Sequence, residues 1–151
     1  MMITCTINNE KKQLEIQAGE MLAEVLRRYG YTEVKTGCDT GSCGLCTVLV
    51  DSKPVLSCSY LAHRAEGRSI STVKGKEKEA AEFAAFLTAE GADQCGFCSP
   101  GFTLTVLAMR EELKNPSDED IRHYLAGNLC RCTGYEGQMR AIRKFLEAHH
   151  E

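Results

Sequence analysis

"GCDTGSCGLC", residues 37–46, places Cys38, Cys43 and Cys46 in one short loop with Gly37, Gly41 and Gly44 between them. Four residues separate the first two cysteines, two separate the second pair, and Cys58 follows in "VLSCS". Three thiols can face one point from a single loop only if the backbone wraps that point tightly. Glycine permits the positive φ angles such a wrap needs, and it lets backbone N–H groups approach the sulfurs.

This is the spacing of plant-type [2Fe–2S] ferredoxins. A zinc knuckle or a reactive dithiol is the alternative for the same residues. A second quartet lies downstream: Cys95 and Cys98 in "QCGFCSPG", Cys130 and Cys132 in "GNLCRCTGY". Cys130 and Cys132, one residue apart, cannot reach disulfide geometry with each other without strain. Each pair is read as standing immediately before a helix, where free N–H groups and the dipole favour an anion. Two such ends facing each other inside a helical bundle could bracket a second anionic cluster. Arg131 suits an anionic neighbour, or is simply a solvated arginine. "CGFC" alone is also a thioredoxin-like dithiol, but that reading needs a preceding strand, and here a helix precedes it. None of His63, His123, His149 and His150 stands in a Cys-x-His arrangement, which excludes a Rieske centre. The ninth cysteine, Cys5, alternates with Ile3 and Ile7 and is read as core.

The background is ordinary. The chain has 151 residues, 43% hydrophobic and 26% charged, with a net charge of −3. That length suits one domain or two small ones, and the charge leaves no basic footprint for nucleic acid. No signal-peptide pattern opens the sequence, and no apolar run is long enough to span a bilayer, so a cytoplasmic location is expected. Nine cysteines in a reducing compartment point to metal or redox chemistry rather than disulfides.

The two halves carry different patterns. "MITCTI" and "QLEI" alternate around the turn "NNEKK", a β-hairpin. "MLAEVLRRYG" sets Leu22, Val25, Leu26 and Tyr29 on one helical face and ends at Gly30. "TVLVD", "PVLSC" and "SISTV" supply three short strands. From Gly75 onward the pattern is helical: "EKEAAEFAAFLTAEG" closed by Gly91, "SPGFTLTVLAMREELKN" with Ser99 as N-cap, "SDEDIRHYLAG" with a Ser117–Asp120 capping box, and "EGQMRAIRKFLEAHH". Phe83, Phe86 and Leu87 are read as bundle core or interface, and His149 and His150 as suiting a helix C-terminus. The boundary falls in "VKGKEKE": an α+β domain over 1–74, then an all-α four-helix bundle over 75–151, each owning one cysteine quartet.

Together, "GCDTGSCGLCTVLVD", "PVLSCSYLA", "QCGFCSPG" and "GNLCRCTGY" resemble the small iron–sulfur subunit of the molybdenum hydroxylases, the xanthine dehydrogenase, aldehyde oxidase and carbon monoxide dehydrogenase family. The resemblance covers nearly the whole chain. Leu45, Ser52 and Ser99 depart from the usual alanine, turn glycine and threonine without touching a ligand position. The resemblance implies a plant-type ferredoxin-like (β-grasp) domain and a helical domain. Cys38, Cys43, Cys46 and Cys58 would hold one [2Fe–2S] cluster, and Cys95, Cys98, Cys130 and Cys132 the other. It further implies a large molybdopterin-binding partner subunit and a medium FAD-binding one, with Gln94 and Cys132 contacting the molybdopterin. The expected role is to relay single electrons from molybdenum, through the helical and then the ferredoxin-like cluster, toward FAD. The substrate, a purine, another N-heterocycle or an aldehyde, would bind elsewhere. A free-standing two-cluster ferredoxin and a zinc-stabilised interaction module are the alternatives.

Overall fold

The computed structural model describes residues 1–149. Two hairpins open the fold. Strands β1 (Met2–Ile7) and β2 (Glu10–Glu15) pair antiparallel across Asn8 and Asn9, both with positive φ. Strands β3 (Thr47–Val50) and β4 (Lys53–Leu56) do the same across Asp51 and Ser52, at φ 48° and 67°. Ser52 therefore takes the left-handed conformation for which glycine would be relaxed. Strand β5 (Ser69–Ser71) runs between the hairpins, parallel to β1 and antiparallel to β3, giving the sheet order β2-β1-β5-β3-β4.

Helix α1 (Leu22–Arg28) covers one face of this mixed sheet. Leu22, Val25 and Leu26 are fully buried against Ile3, Cys5, Ile7, Leu14, Val48 and Ile70. Full burial of each such aliphatic side chain contributes about 1.5–3 kcal/mol. Cys5 is thus core, as its alternation predicts. Tyr29 is not: it caps the end of α1, remains 42% exposed, and its phenol oxygen accepts the Glu15 N–H at 2.7 Å. The helical face ends one turn earlier than the spacing predicts.

Four helices form the second half: α2 (Glu77–Ala89), α3 (Ser99–Glu112), α4 (Asp118–Tyr124) and α5 (Glu136–Ala148). Gly91 ends α2 at φ 63°. The Ser117–Asp120 capping box forms, with the Ser117 N–H donating to Asp120 and the Asp120 N–H to Ser117. Met139, Ile142, Phe145 and Leu146 of α5 pack with Phe83, Leu87, Phe102 and Val106. His149 receives more than a dipole: one ring nitrogen lies 2.7 Å from the Phe145 carbonyl oxygen and the other 2.9 Å from Glu82. His150 lies outside the described residues.

Two expectations about helix starts are corrected. Ser99 is the first residue of α3, not its N-cap; Cys98 holds the cap position. Cys130 and Cys132 do not abut α5, because Gly134 and Tyr135, at φ 65° and 71°, turn the chain before it starts.

Helix α3 joins the halves. It is buried from Gly101 to Met109. Phe102, Val106 and Met109 face the bundle, while Leu104 and Ala108 meet Leu49 of β3 and Val73. Gly101 is essential to this approach, since a Cβ there would lie 2.3 Å from the carbonyl oxygen of Gly44.

Candidate iron–sulfur sites

Cys38, Cys43 and Cys46 of the first quartet sit on the loop between α1 and β3, and Cys58 sits on the short turn Ser57–Ser59 that follows β4. Gly41 and Gly44 take φ 68° and 75°, folding the loop back on itself. A Cβ on Gly37 would fall 2.7 Å from Leu45 Cδ2, so a side chain there would push the end of Leu45 aside, while the Cys43 sulfur lies at ordinary contact distance, 3.6 Å. The Gly44 carbonyl accepts from the Thr47 hydroxyl at 2.7 Å, and the Cys46 carbonyl from the Ser57 hydroxyl at 2.6 Å. These buried bonds fix where Cys46 leaves the loop and where Cys58 returns to it.

The thiols of this quartet lie in pairs. A hydrogen bond from the Cys43 thiol, then the backbone N–H groups of Ser42, Cys43 and Thr40, bring Cys38 down to about 6. Burial pushes Cys43 up. Cys46 goes to about 11, mainly through burial and then through its contact with the Cys58 thiol. The loop therefore offers amide donors to an anionic sulfur at its exposed end and an apolar wall at its buried end.

The second quartet pairs in the same manner. Cys132 Sγ donates to Cys95 Sγ at 3.5 Å. Cys98 lies against Cys130, and burial, followed by that neighbour, pushes Cys98 up to about 12. Cys130 is held below its ordinary value: burial opposes this, but the Thr133 hydroxyl and the N–H groups of Thr133 and Cys132 outweigh it. The expectation of a site inside the bundle is corrected. Cys95 and Cys132 are exposed, on a cavity of about 470 Å³ at the bundle's surface.

Among the described residues, no three Cys, His, Asp or Glu side chains gather around one point as a single ion would need. The pairs are 38 with 43, 46 with 58, 95 with 132 and 98 with 130. Two thiol pairs per site, with glycine-lined access and amide donors, fit a binuclear cluster whose two irons each take two cysteines.

Known proteins agree with this chemistry. The pattern of a 2Fe-2S iron-sulfur cluster binding domain matches residues 5–87, and that of a [2Fe-2S] binding domain matches residues 70–143. The xanthine dehydrogenase iron-sulfur-binding subunit of Escherichia coli O157:H7 is 45% identical over 141 residues, 89% of this chain and 87% of that one. The nicotinate dehydrogenase small FeS subunit of Eubacterium barkeri is 38% identical over 149 residues, 96% and 94% of the two chains. The crystal structure of quinoline 2-oxidoreductase from Pseudomonas putida 86 superposes with a TM-score of 0.85 at 36% identity, covering 100% of this chain and 98% of that chain. The chain belongs to the iron–sulfur subunits of the molybdenum hydroxylases.

As an iron–sulfur subunit it carries two [2Fe–2S] binding domains and is part of an oxidoreductase. The two relatives above are subunits by name, whereas in the aldehyde oxidoreductase of Megalodesulfovibrio gigas the matching region is 16% of a longer chain. The two cysteine loops of this subunit touch. The Leu129 N–H donates to the Cys43 carbonyl at 2.9 Å, and Gly37, Cys43 and Leu45 share the cavity wall with Cys98 and Cys130. Lys35 Nζ lies 5.7 Å from the centre of the Phe97 ring, a cation–π contact between the loops. Gln94 is exposed beside Cys95.

Sequence reasoning missed two contacts and two further residues. The Leu129 bond and the Lys35–Phe97 contact are long-range and leave no local pattern. Thr133 was legible as a hydroxyl beside a ligand in "CRCTG". Tyr135 was not, because nothing in a lone tyrosine announces a left-handed φ.

Proposed function

We propose that Cys38, Cys43, Cys46 and Cys58 hold one [2Fe–2S] cluster and that Cys95, Cys98, Cys130 and Cys132 hold the other. The chain thereby acts as the electron-transfer subunit of a multi-subunit molybdenum hydroxylase. The observation that carries this reading is the paired arrangement of all eight thiols in two adjoining clusters. When bound, a [2Fe–2S] cluster accepts and gives up one electron at a time. The chain's part is to hold the sulfurs, to offer N–H groups to the charge they carry, and to set the two sites close together. The Cys43–Leu129 hydrogen bond, one peptide from Cys130, bridges the two loops directly.

The division at 74/75 is supported by the two separate cores, one complete at Ile70 and the other beginning at Phe83. A cytoplasmic location is supported by nine cysteines without a disulfide. Among the described residues, no helix is long and apolar enough to cross a membrane.

The open side of the helical site is the side proposed to face a large molybdopterin-binding subunit, with a medium FAD-binding subunit on the ferredoxin-like side. Phe97 and Leu129, each 48% exposed, and Tyr135, 41% exposed, flank Cys95 and Cys132. An apolar rim around two exposed sulfurs suits a permanent partner better than the free-standing ferredoxin of the alternative reading. Gln94 offers an amide donor and a carbonyl acceptor there, and Cys132 an acceptor sulfur, for the edge of a pterin. The substrate, a purine, another N-heterocycle or an aldehyde, binds on the partner.

Gln94→Ala tests the assignment in the assembled enzyme. Rapid-mixing reduction of the iron–sulfur centres by substrate is expected to slow, or molybdenum content to fall, with iron content unchanged. Wild-type rates at full molybdenum occupancy would remove Gln94 from the interface.

A further inference from the structure

Three hydrogen bonds close a small circuit at the helical site. The Thr133 hydroxyl donates to Cys130 Sγ at 3.2 Å, the Tyr135 N–H donates to Thr133 Oγ1 at 3.2 Å, and the Cys130 N–H donates to the Tyr135 phenol oxygen at 3.0 Å. Because Thr133 Oγ1 accepts from Tyr135, its own hydrogen is left to point at the sulfur, and the two bonds polarise each other.

The circuit explains an otherwise costly backbone. Tyr135 holds φ 71° although it is a bulky residue, and it does so at the first turn of α5. That conformation turns its N–H back onto Thr133 and brings its ring over to the Cys130 N–H. At the other site, among the described residues, the Ser59 hydroxyl lies 3.6 Å from Cys58 Sγ and the Ser57 hydroxyl beside Cys46 donates to the Cys46 carbonyl oxygen at 2.6 Å, so neither closes such a circuit.

We infer that Thr133 is a positioning and potential-tuning residue of the helical cluster, locked in place by the strained Tyr135. The inference rests on the assignment of Cys130 as a cluster ligand. A donor on a ligand sulfur stabilises the extra negative charge of the reduced state, so the Thr133 bond raises the potential of the helical centre relative to its neighbour. Loss of the hydroxyl lowers it. The circuit thus biases which of the two adjoining centres holds an electron.

The experiment is a redox titration of the assembled enzyme followed by the EPR signals of both centres, with iron per chain measured on each sample. Cys43→Ser and Cys98→Ser samples assign each signal to its site. Thr133→Val is expected to shift the helical midpoint downward, by roughly the 59 mV that corresponds to tenfold in the oxidised-to-reduced ratio for one electron. The ferredoxin-like midpoint stays put. Thr133→Ser restores the wild-type value, and Tyr135→Phe, which removes only the acceptor for the Cys130 N–H, leaves the midpoint between the two. Unchanged midpoints at full iron, or equal shifts at both centres, would overturn the inference. Loss of the helical signal in Thr133→Val with its retention in Thr133→Ser would also overturn it, leaving the hydroxyl a folding role. A wild-type chain with half the expected iron would instead overturn the ligand assignment.

Discussion

The two cysteine sites are built on opposite plans. In the ferredoxin-like half, Cys43 and Cys46 are buried, and the site is a glycine loop closed by buried hydroxyl bonds from Thr47 and Ser57. In the helical half, Cys95 and Cys132 are exposed and rimmed by apolar side chains. The first site is the more enclosed, with Cys38 and Cys58 half-buried; the second opens at the surface. On the proposed reading this difference orients the subunit, with electrons entering at the open face; the ferredoxin-like loop is joined to that site through the Cys43–Leu129 bond.

The largest expected effect breaks the comparison one site at a time. Cys43→Ser should abolish only the ferredoxin-like EPR signal, and Cys98→Ser only the helical one, each with about half the iron lost. Cys5→Ser should change neither, because Cys5 is packed in the sheet core with no partner sulfur. Loss of a signal from Cys5→Ser, or loss of both from either ligand variant, would dissolve the division into two independent sites.

Where the plans meet, the backbones are in contact. Gly101→Ala would drive a Cβ to within 2.3 Å of the Gly44 carbonyl oxygen. Overpacking of this kind costs about 1–3 kcal/mol, and better helix propensity returns about 1 kcal/mol of that. Denaturant unfolding should therefore show a net loss of up to about 2 kcal/mol. Gly127→Ala supplies the contrast: a Cβ there meets nothing within 4 Å, so stability should move by no more than about 0.5 kcal/mol. Equal effects would mean that the two halves do not depend on this contact.

What could be read in advance divides along the same line. The ferredoxin-like site is local, with three of its four proposed ligands and three glycines in one loop, so spacing alone marks it out, and strand alternation places Cys5 in the core. The helical ligands were also visible as a quartet. Their setting was not: it depends on Gly134 and Tyr135 turning the chain ahead of α5, and on α3 approaching the first loop at Gly101. Both are tertiary choices that helical periodicity does not encode. Tyr29 failed for a related reason, since its phenol had a backbone N–H to meet outside the helix.

The smallest expected effect lies at the far end of α5. Hydrogen bonding to the Phe145 carbonyl, then to Glu82, raises His149 above its ordinary value, against the opposing charge of Arg110. A raised folded-state value stabilises the fold below the unfolded value near 6.5, and that stabilisation fades as pH rises through the folded one. Thermal unfolding between pH 5.5 and 8 should show a slight downward drift in wild type that His149→Gln lacks; identical profiles would remove His149 from the α2–α5 contact.

Iron and acid-labile sulfide, counted per chain in the fully loaded complex, test the central claim most directly. Two complete sites require about four irons and four sulfides per chain, with two distinct EPR signals on reduction. About two irons with a single signal, or zinc as the major metal on this chain, would contradict it.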